Sequence, residues 1–362
     1  MTTATATRLP PPAPTGLCSP MQSRTMNDSQ RLSLESFIAQ QALADRVSIT
    51  EARRLSGGAI QENWLICAEI SGGRYAGPLD AVVRTDSPSG VAASRSRAEE
   101  FALLRAAFAA GVTVPEPLWL CEDRALIGRQ FFVMRRVGGV AAGHLLVKDS
   151  RHGGDRVQLT QRLGAELARI HTIRPPCADL HFLPESAQTP ALDAIQRLRR
   201  HLDEQTTPRP ALEWGLRWLE RHAPPRETIV LCHRDFRTGN YMVDEHGLTG
   251  VLDWEFAGWG DPCEDIGWFC AKCWRFGANH CEAGGIGSRE DFYRGYERAC
   301  GRSLDRARIA YWEVMAHMNW ASIAIQQAQR HLSGEEVSLL LALTGHVVPE
   351  LEYEILTMTE HG

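Results

Sequence analysis

Lysine is nearly missing from this chain. Of its 39 basic residues only Lys148 and Lys272 are lysines, and the remainder are arginines. A basic excess is missing as well. Against 44 acidic residues the formal charge is −5, so the chain lacks the positive face that nucleic acid requires. No apolar window reaches membrane-spanning length, and the amino terminus carries no apolar stretch of signal-peptide length. The chain therefore reads as cytoplasmic, with no membrane or nucleic-acid partner. Its ten cysteines have no regular spacing, and in a reducing compartment free buried thiols are the default. Internal repeats are also absent. With 362 residues the chain is long for one compact core, so two lobes are expected; its oligomeric state is not legible.

Residues 1–30 are rich in Thr, Ala and Pro, including Pro10-Pro11-Pro12, and read as a disordered tail with Met21 or Met26 as later candidate starts. A helix is expected from Leu32 to Asp45. Short apolar runs between glycine turns follow, at Trp64 to Ala68 and Ala81 to Arg84, which predict a small antiparallel sheet. From Ser94 to Ala110 the spacing becomes helical, with Phe101, Leu104 and Phe108 on one face. Phe131 to Met134 is a last strand and Gly138-Gly139 a linker. From Leu159 onward helices dominate, including a long one near Arg306 to His331, so the fold class is α+β.

Within the helical part lies a three-stranded exception. Thr228 to Cys232 reads as a buried strand, residues 233–239 as a loop, and Asn240 to Val243 and Leu248 to Leu252 as strands joined by the turn Asp244-Glu245-His246-Gly247. That arrangement brings Asp235, Asn240 and Asp253 to one end of a sheet. An Asp, an Asn five residues on and a later Asp suit phosphoryl transfer: a hydroxyl-orienting base and two oxygen ligands for magnesium. An Asx pair satisfying a tight loop is the plain alternative. The preceding His233-Arg234 and the following Leu252-Asp253-Trp254 favour the catalytic reading.

With His233-Arg234-Asp235-Phe236-Arg237-Thr238-Gly239-Asn240, Leu252-Asp253-Trp254-Glu255 and Gly260-Asp261-Pro262 with Asp265, the chain resembles the aminoglycoside phosphotransferase-like branch of the kinase-fold enzymes, which includes choline and fructosamine kinases. The likeness runs from about Ser48 to the carboxyl end. It implies a bilobal protein-kinase-like fold: a small antiparallel-sheet N-lobe (31–137) that binds nucleotide, and a mainly helical C-lobe (138–362) with the catalytic hairpin and the substrate site. It also implies ATP and magnesium as cofactors, with Asp235 as base and Asn240 and Asp253 as metal ligands. Gly57-Gly58 would cover phosphates with backbone amides. Arg84 stands where a phosphate-holding lysine is expected and, with no lysine in this lobe, is the substitute; Glu100 is its expected partner. Backbone near Met134 to Arg136 would meet adenine. Arg237 occupies the position of a protein-kinase lysine and would stabilise charge on the transferring phosphate.

Departures from protein kinases narrow the substrate. There is no Asp-Phe-Gly and no Ala-Pro-Glu, and seven residues separate Asp253 from Asp261, too few for a peptide-binding segment. A small hydroxylated molecule is expected instead. Asp261, before Pro262, reads as a helix N-cap, and Asp265 as the holder of the catalytic loop's backbone. Cys263, Cys270, Cys273 and Cys281 beside His280 invite a zinc reading, but only one C-x-x-C exists and it lies in an apolar helical stretch with Trp268 and Trp274. In the long helix Tyr311, Met315, Met318 and Ile325 read as core, while Trp312, Asn319 and Trp320 are pocket candidates. No dense acidic cluster is present for a polycation, and the chain looks most like bacterial members that act in hydroxy-acid and acyl-CoA breakdown. A 4-hydroxyacyl-CoA is thus the first expectation for substrate. An aminoglycoside or choline-like amino-alcohol kinase is the alternative, and a non-catalytic nucleotide-binding pseudokinase the third.

Overall fold

The computed structural model describes residues 26–55, 61–86 and 95–360. Helix α1 (Asp28–Ala42) opens with a capping box between Asn27 and Gln30, four residues earlier than the spacing at Leu32 suggests. Strands β1 (Arg46–Arg54), β2 (Gln61–Ser71) and β3 (Gly77–Asp86), helix α2 (Arg97–Ala109) and strands β4 (Pro117–Cys121) and β5 (Phe131–Arg135) follow. The strands make one antiparallel sheet in the order β1-β2-β3-β5-β4.

Alternation along the strands sorts their side chains onto two faces. On one, Ile49, Ile66, Val83, Phe131 and Val133 pack with Leu34, Phe37 and Ile38 of α1, the Phe37 and Phe131 rings meeting edge to face at 5.2 Å. On the other, Phe132 meets Phe101 of α2 at 5.6 Å and joins the core that continues through the second lobe. Arg84 follows Val83 and so faces α2. The capping box of Ser96 and Glu99 starts that helix and leaves the next acid, Glu100, to be buried. The face expected from sequence is slightly misaligned. The buried arc is centred on Glu100, Leu104 and Ala107, and Phe108, at its margin in the last turn, is 46% exposed.

The second lobe contains α3 (Gly143–Lys148), α4 (Arg156–Ile170), α5 (Pro190–Asp203), α6 (Pro210–Arg221), α7 (Pro262–Cys270), α8 (Arg289–Cys300), α9 (Arg306–Leu332), α10 (Leu339–Gly345) and α11 (Val348–Thr359). Helices α4 and α8 cross closely at two glycines: a Cβ on Gly295 would lie 1.9 Å from the Gln161 carbonyl, and one on Gly164 2.1 Å from that of Phe292. The short strands here are β6 (Val230–Cys232), β7 (Tyr241–Val243), β8 (Leu248–Val251) and β9 (Gly258–Gly260). They do not form the expected three-stranded unit. Strand β7 pairs with β8, but β6 pairs with β9. Arg234, at φ 63, breaks the extended path just after β6, so β6 and β7 share no ladder. The result is an α+β chain of two lobes, sheet-rich then helical. Among the described residues no helix is long and apolar enough to cross a membrane.

Candidate active site

The loop after β6 is held from below by one carboxylate. Asp265, fully buried on α7, accepts the backbone amides of His233 and Arg234 at 2.7 Å each. His171, the C-cap of α4, donates to it from Nε2 at 3.1 Å and meets the Tyr296 hydroxyl through Nδ1 at 2.8 Å. Burial works against the Asp265 charge, but the hydrogen bond and charge of His171, with the loop contacts, hold its pKa below the usual value. Asp261 caps α7 by accepting from the Cys263 amide, with Pro262 in the first turn, and pairs with Arg308. The sequence assigned both acids to these tasks.

His233 ties this loop to the strand that carries the second acid. Its Nε2 lies 2.9 Å from the Leu252 carbonyl, while Nδ1 accepts from the Asp235 amide at 3.3 Å, which places the ring proton on Nε2. The Leu252 amide in turn donates to the Asn240 carbonyl at 2.8 Å. Asp235, Asn240 and Asp253 are thereby brought together, although by two separate ladders rather than one. Arg234 turns away from them. Its Nη2 donates to the Trp259 carbonyl at 2.8 Å and its Nε approaches Glu264 at 3.4 Å, so it braces β9.

Asp235 is 8% exposed and three side chains donate to its carboxylate. Arg237 Nε donates to its Oδ1 at 2.9 Å, and Trp268 Nε1 donates to the same oxygen at 3.1 Å. Asn240 Nδ2 donates to Oδ2, and to the Asp235 carbonyl at 2.9 Å. Burial raises the Asp235 pKa above the ordinary carboxylate value even though the Arg237 charge opposes it. Arg237 also lies over the Trp274 ring, 4.7 Å from its centroid. Because Asn240 spends its amide nitrogen on Asp235, the carbonyl arm of the same amide is left over, and no protein donor among the described residues meets it. Asp253, at φ 67 with its side chain one-third exposed, offers a second hard oxygen. That donor set fits a small divalent cation, which takes few protein oxygens.

Arg84 bridges the lobes. One guanidinium nitrogen, Nη2, is 2.7 Å from Glu100 Oε1 and 2.7 Å from Asp253 Oδ1. Burial opposes its charge, but the two carboxylates outweigh that and raise its pKa. Glu100 is the buried partner expected from the sequence, and Arg97 closes on it from the same helix. Met134, half-buried on β5, pairs with Val82 and Pro117. The Arg135 and Arg136 amides after it are taken by the Glu116 and Asp80 carbonyls at 2.8 and 3.0 Å. Gly57 and Gly58 lie outside the described residues.

One candidate is not where the sequence suggested. Trp312 is 1% exposed, so it packs the interior instead of lining a pocket; α9 is enclosed by neighbours on more sides than its pattern implies. Tyr311, Met315, Met318 and Ile325 are core, as expected, and Asn319 and Trp320 are partly exposed. Cys263, Cys270, Cys273 and Cys281 are free thiols, and burial pushes Cys270 up to about 12. Among the described residues the grouping of metal-ligand type is His171, Cys232 and Asp265. Asp265 and both His171 nitrogens are already hydrogen-bonded within the protein, and the Cys232 thiol donates to the Asp261 carbonyl at 3.2 Å. The sequence reading missed Trp268 as a neighbour of Asp235. Its spacing was the available signal: Asp265 and Trp268 stand three residues apart on one face of α7.

A sequence model of the phosphotransferase enzyme family matches residues 51–312. Over 204 residues the chain is 29% identical to acyl-CoA dehydrogenase family member 10 of Mus musculus, covering 52% of this chain and 18% of that protein. Over 262 residues it is 24% identical to the human family member 11, covering 70% of this chain and 34% of that protein. The chain thus spans about a fifth to a third of the curated relatives it matches. In fold it is similar to a provisionally assigned aminoglycoside phosphotransferase from Ralstonia eutropha, at TM-score 0.72 and 19% identity, covering 91% of this chain and 98% of that one. It is also similar to a spectinomycin phosphotransferase in complex with ADP and spectinomycin, at TM-score 0.60 and 13% identity, covering 90% and 98%. The two-lobed architecture is therefore the protein-kinase-like one.

Proposed function

The chain belongs to the phosphotransferase enzyme family, and from that premise we propose that it moves the γ-phosphate of ATP to the hydroxyl of a small metabolite, with Asp235 as the base. That it is a phosphotransferase with an alcohol acceptor follows from the family. The residue roles are our reading, and the observation that carries them is the convergence of Asp235, Asn240 and Asp253 through His233 and Leu252. Asp235 would accept the hydroxyl proton as the new oxygen–phosphorus bond forms and the bond to the bridging oxygen breaks, releasing ADP. Its raised pKa strengthens it as a proton acceptor.

Asn240 and Asp253 would hold magnesium, which when bound neutralises charge on the phosphates. Arg84, kept in place by Glu100, would hold phosphate oxygens, and its link to Asp253 would yield to the nucleotide. Arg237 would face the charge developing on the transferred group, with its plane fixed over Trp274. Residues 31–137 would form the nucleotide lobe, with Gly57-Gly58 over the phosphates and the backbone after Met134 against the base; since the Arg135 and Arg136 amides are occupied, carbonyls of this stretch would make those contacts. Residues 138–362 would carry the acceptor site.

For the acceptor we favour a hydroxyacyl-CoA. The relatives' names associate this kind of chain with acyl-CoA dehydrogenase proteins, and the Glu335 and Glu336 carboxylates are drawn to Arg330 rather than grouped for a polycation. The second reading, an aminoglycoside or amino-alcohol acceptor, is favoured by the spectinomycin complex of a fold neighbour. A coupled ADP-release screen over hydroxyacyl-CoAs, amino-alcohols and aminoglycosides separates them. Turnover with hydroxyacyl-CoAs alone is expected. Turnover confined to aminoglycosides would transfer the assignment to the second reading, and nucleotide binding with no acceptor turned over would favour a non-catalytic module.

A further inference from the structure

We propose that Trp268 is a positioning residue for the base, its indole N–H fixing Asp235 through Oδ1. This rests on Asp235 being the base. Three observations carry the inference. First, the contact is a hydrogen bond of 3.1 Å between groups that are each 8% exposed, where a donor to a carboxylate is strongest. Second, most buried indoles here do not do this. Among the described residues the buried indole nitrogens of Trp218, Trp254, Trp274 and Trp312 meet no partner, whereas that of Trp268, like that of the more exposed Trp214 on the Thr359 hydroxyl at 2.8 Å, has a target.

Third, the donor is braced. Trp268 packs on Trp274 at 5.1 Å between ring centroids, and Trp274 on Trp320 at 4.7 Å. Arg237, the other donor to Oδ1, lies over the same Trp274 ring. One indole therefore steadies both groups that hold one oxygen of Asp235. With Oδ1 held by two donors and Oδ2 steered by Asn240, the carboxylate plane cannot rotate freely. A misplaced base would lower the chemical step without disturbing nucleotide binding.

The test is Trp268→Phe, which keeps an aromatic ring and removes the N–H. With magnesium-ATP, and with the panel acceptor that releases ADP fastest as well as with water as acceptor, kcat should fall about tenfold to a hundredfold. KM for ATP should stay within about twofold. A spectroscopic readout accompanies it. Replacing the charged acceptor in Asp235→Asn should move one indole N–H resonance, the one missing from the spectrum of Trp268→Phe. A folded Trp268→Phe with wild-type kcat, or no indole resonance moved by Asp235→Asn, overturns the inference. Should Trp268→Phe not fold, Trp268→Tyr, which also lacks the indole N–H, identifies the resonance and the Asp235→Asn spectrum still decides. If Asp235→Asn itself turns over normally, the assignment of the base has failed; if Asp235→Asn is inactive while Trp268→Phe runs at full rate, only the role of Trp268 has.

Discussion

Replacing Asp265 with alanine would remove a single acceptor that serves three donors: the amides of His233 and Arg234 at 2.7 Å and His171 Nε2 at 3.1 Å. The site is fully buried, so water cannot take over without the loop opening. A buried donor left unmade costs about 1–3 kcal/mol, and breaking a buried charged network about 3–5 kcal/mol. Recovered desolvation of the carboxylate offsets part of that, so about 3–5 kcal/mol is expected for Asp265→Ala, against a typical whole-protein stability of about 5–15 kcal/mol. Asp265→Asn keeps one carbonyl oxygen but turns an NH2 toward donors, and should lose about half as much. Urea unfolding measures both: the midpoint falls and the slope is unchanged. The sign of the pH effect follows from the depressed pKa. Asp265 contributes stability above its ordinary value of 3.8 and loses it as pH falls through the lower folded value, so wild type should weaken more steeply in acid than Asp265→Asn. A loss below about 1 kcal/mol for Asp265→Ala, or the same acid dependence in both proteins, would refute the view that this carboxylate holds the loop.

Two further outcomes test the rest of the structure. Arg84→Met should weaken ADP binding at least about tenfold by calorimetry, with Arg84→Lys between it and wild type because a point charge replaces a fork; unchanged affinity would remove Arg84 from the nucleotide site. Gly295→Ala places a Cβ against the Gln161 carbonyl, 1.9 Å away in the present packing, so α4 and α8 must separate; a cost of about 1–3 kcal/mol in thermal unfolding is expected, and a neutral result would show the crossing to be loose.

The loop from His233 to Asn240 was legible because its meaning is local. His233, Asp235 and Asn240 lie within eight residues, and their contacts are mostly with one another or with the strand that follows. Asp261 and Asp265 were legible from helix-start chemistry, and the pairing of Arg84 with Glu100 from alternation on β3 and the register of α2. What the sequence hid depends on distant partners. The β6–β9 pairing skips two intervening strands, so the compact three-stranded unit was the natural but incorrect reading. Phe108 and Trp312 carry periodicities that give the line of a helix face but not how far neighbours extend over it. Trp268 looked like one more apolar residue because its ring is one; only the position of its N–H against Asp235 distinguishes it.

The central claim is that Asp235 takes the proton from the acceptor. Single-turnover ADP release by Asp235→Asn, at saturating magnesium-ATP and with the best acceptor of the panel, tests it most directly. A fall of about 10²- to 10⁴-fold in the chemical step is expected, with ADP affinity retained. Turnover within a few-fold of wild type, in a protein that binds ADP normally, would contradict it.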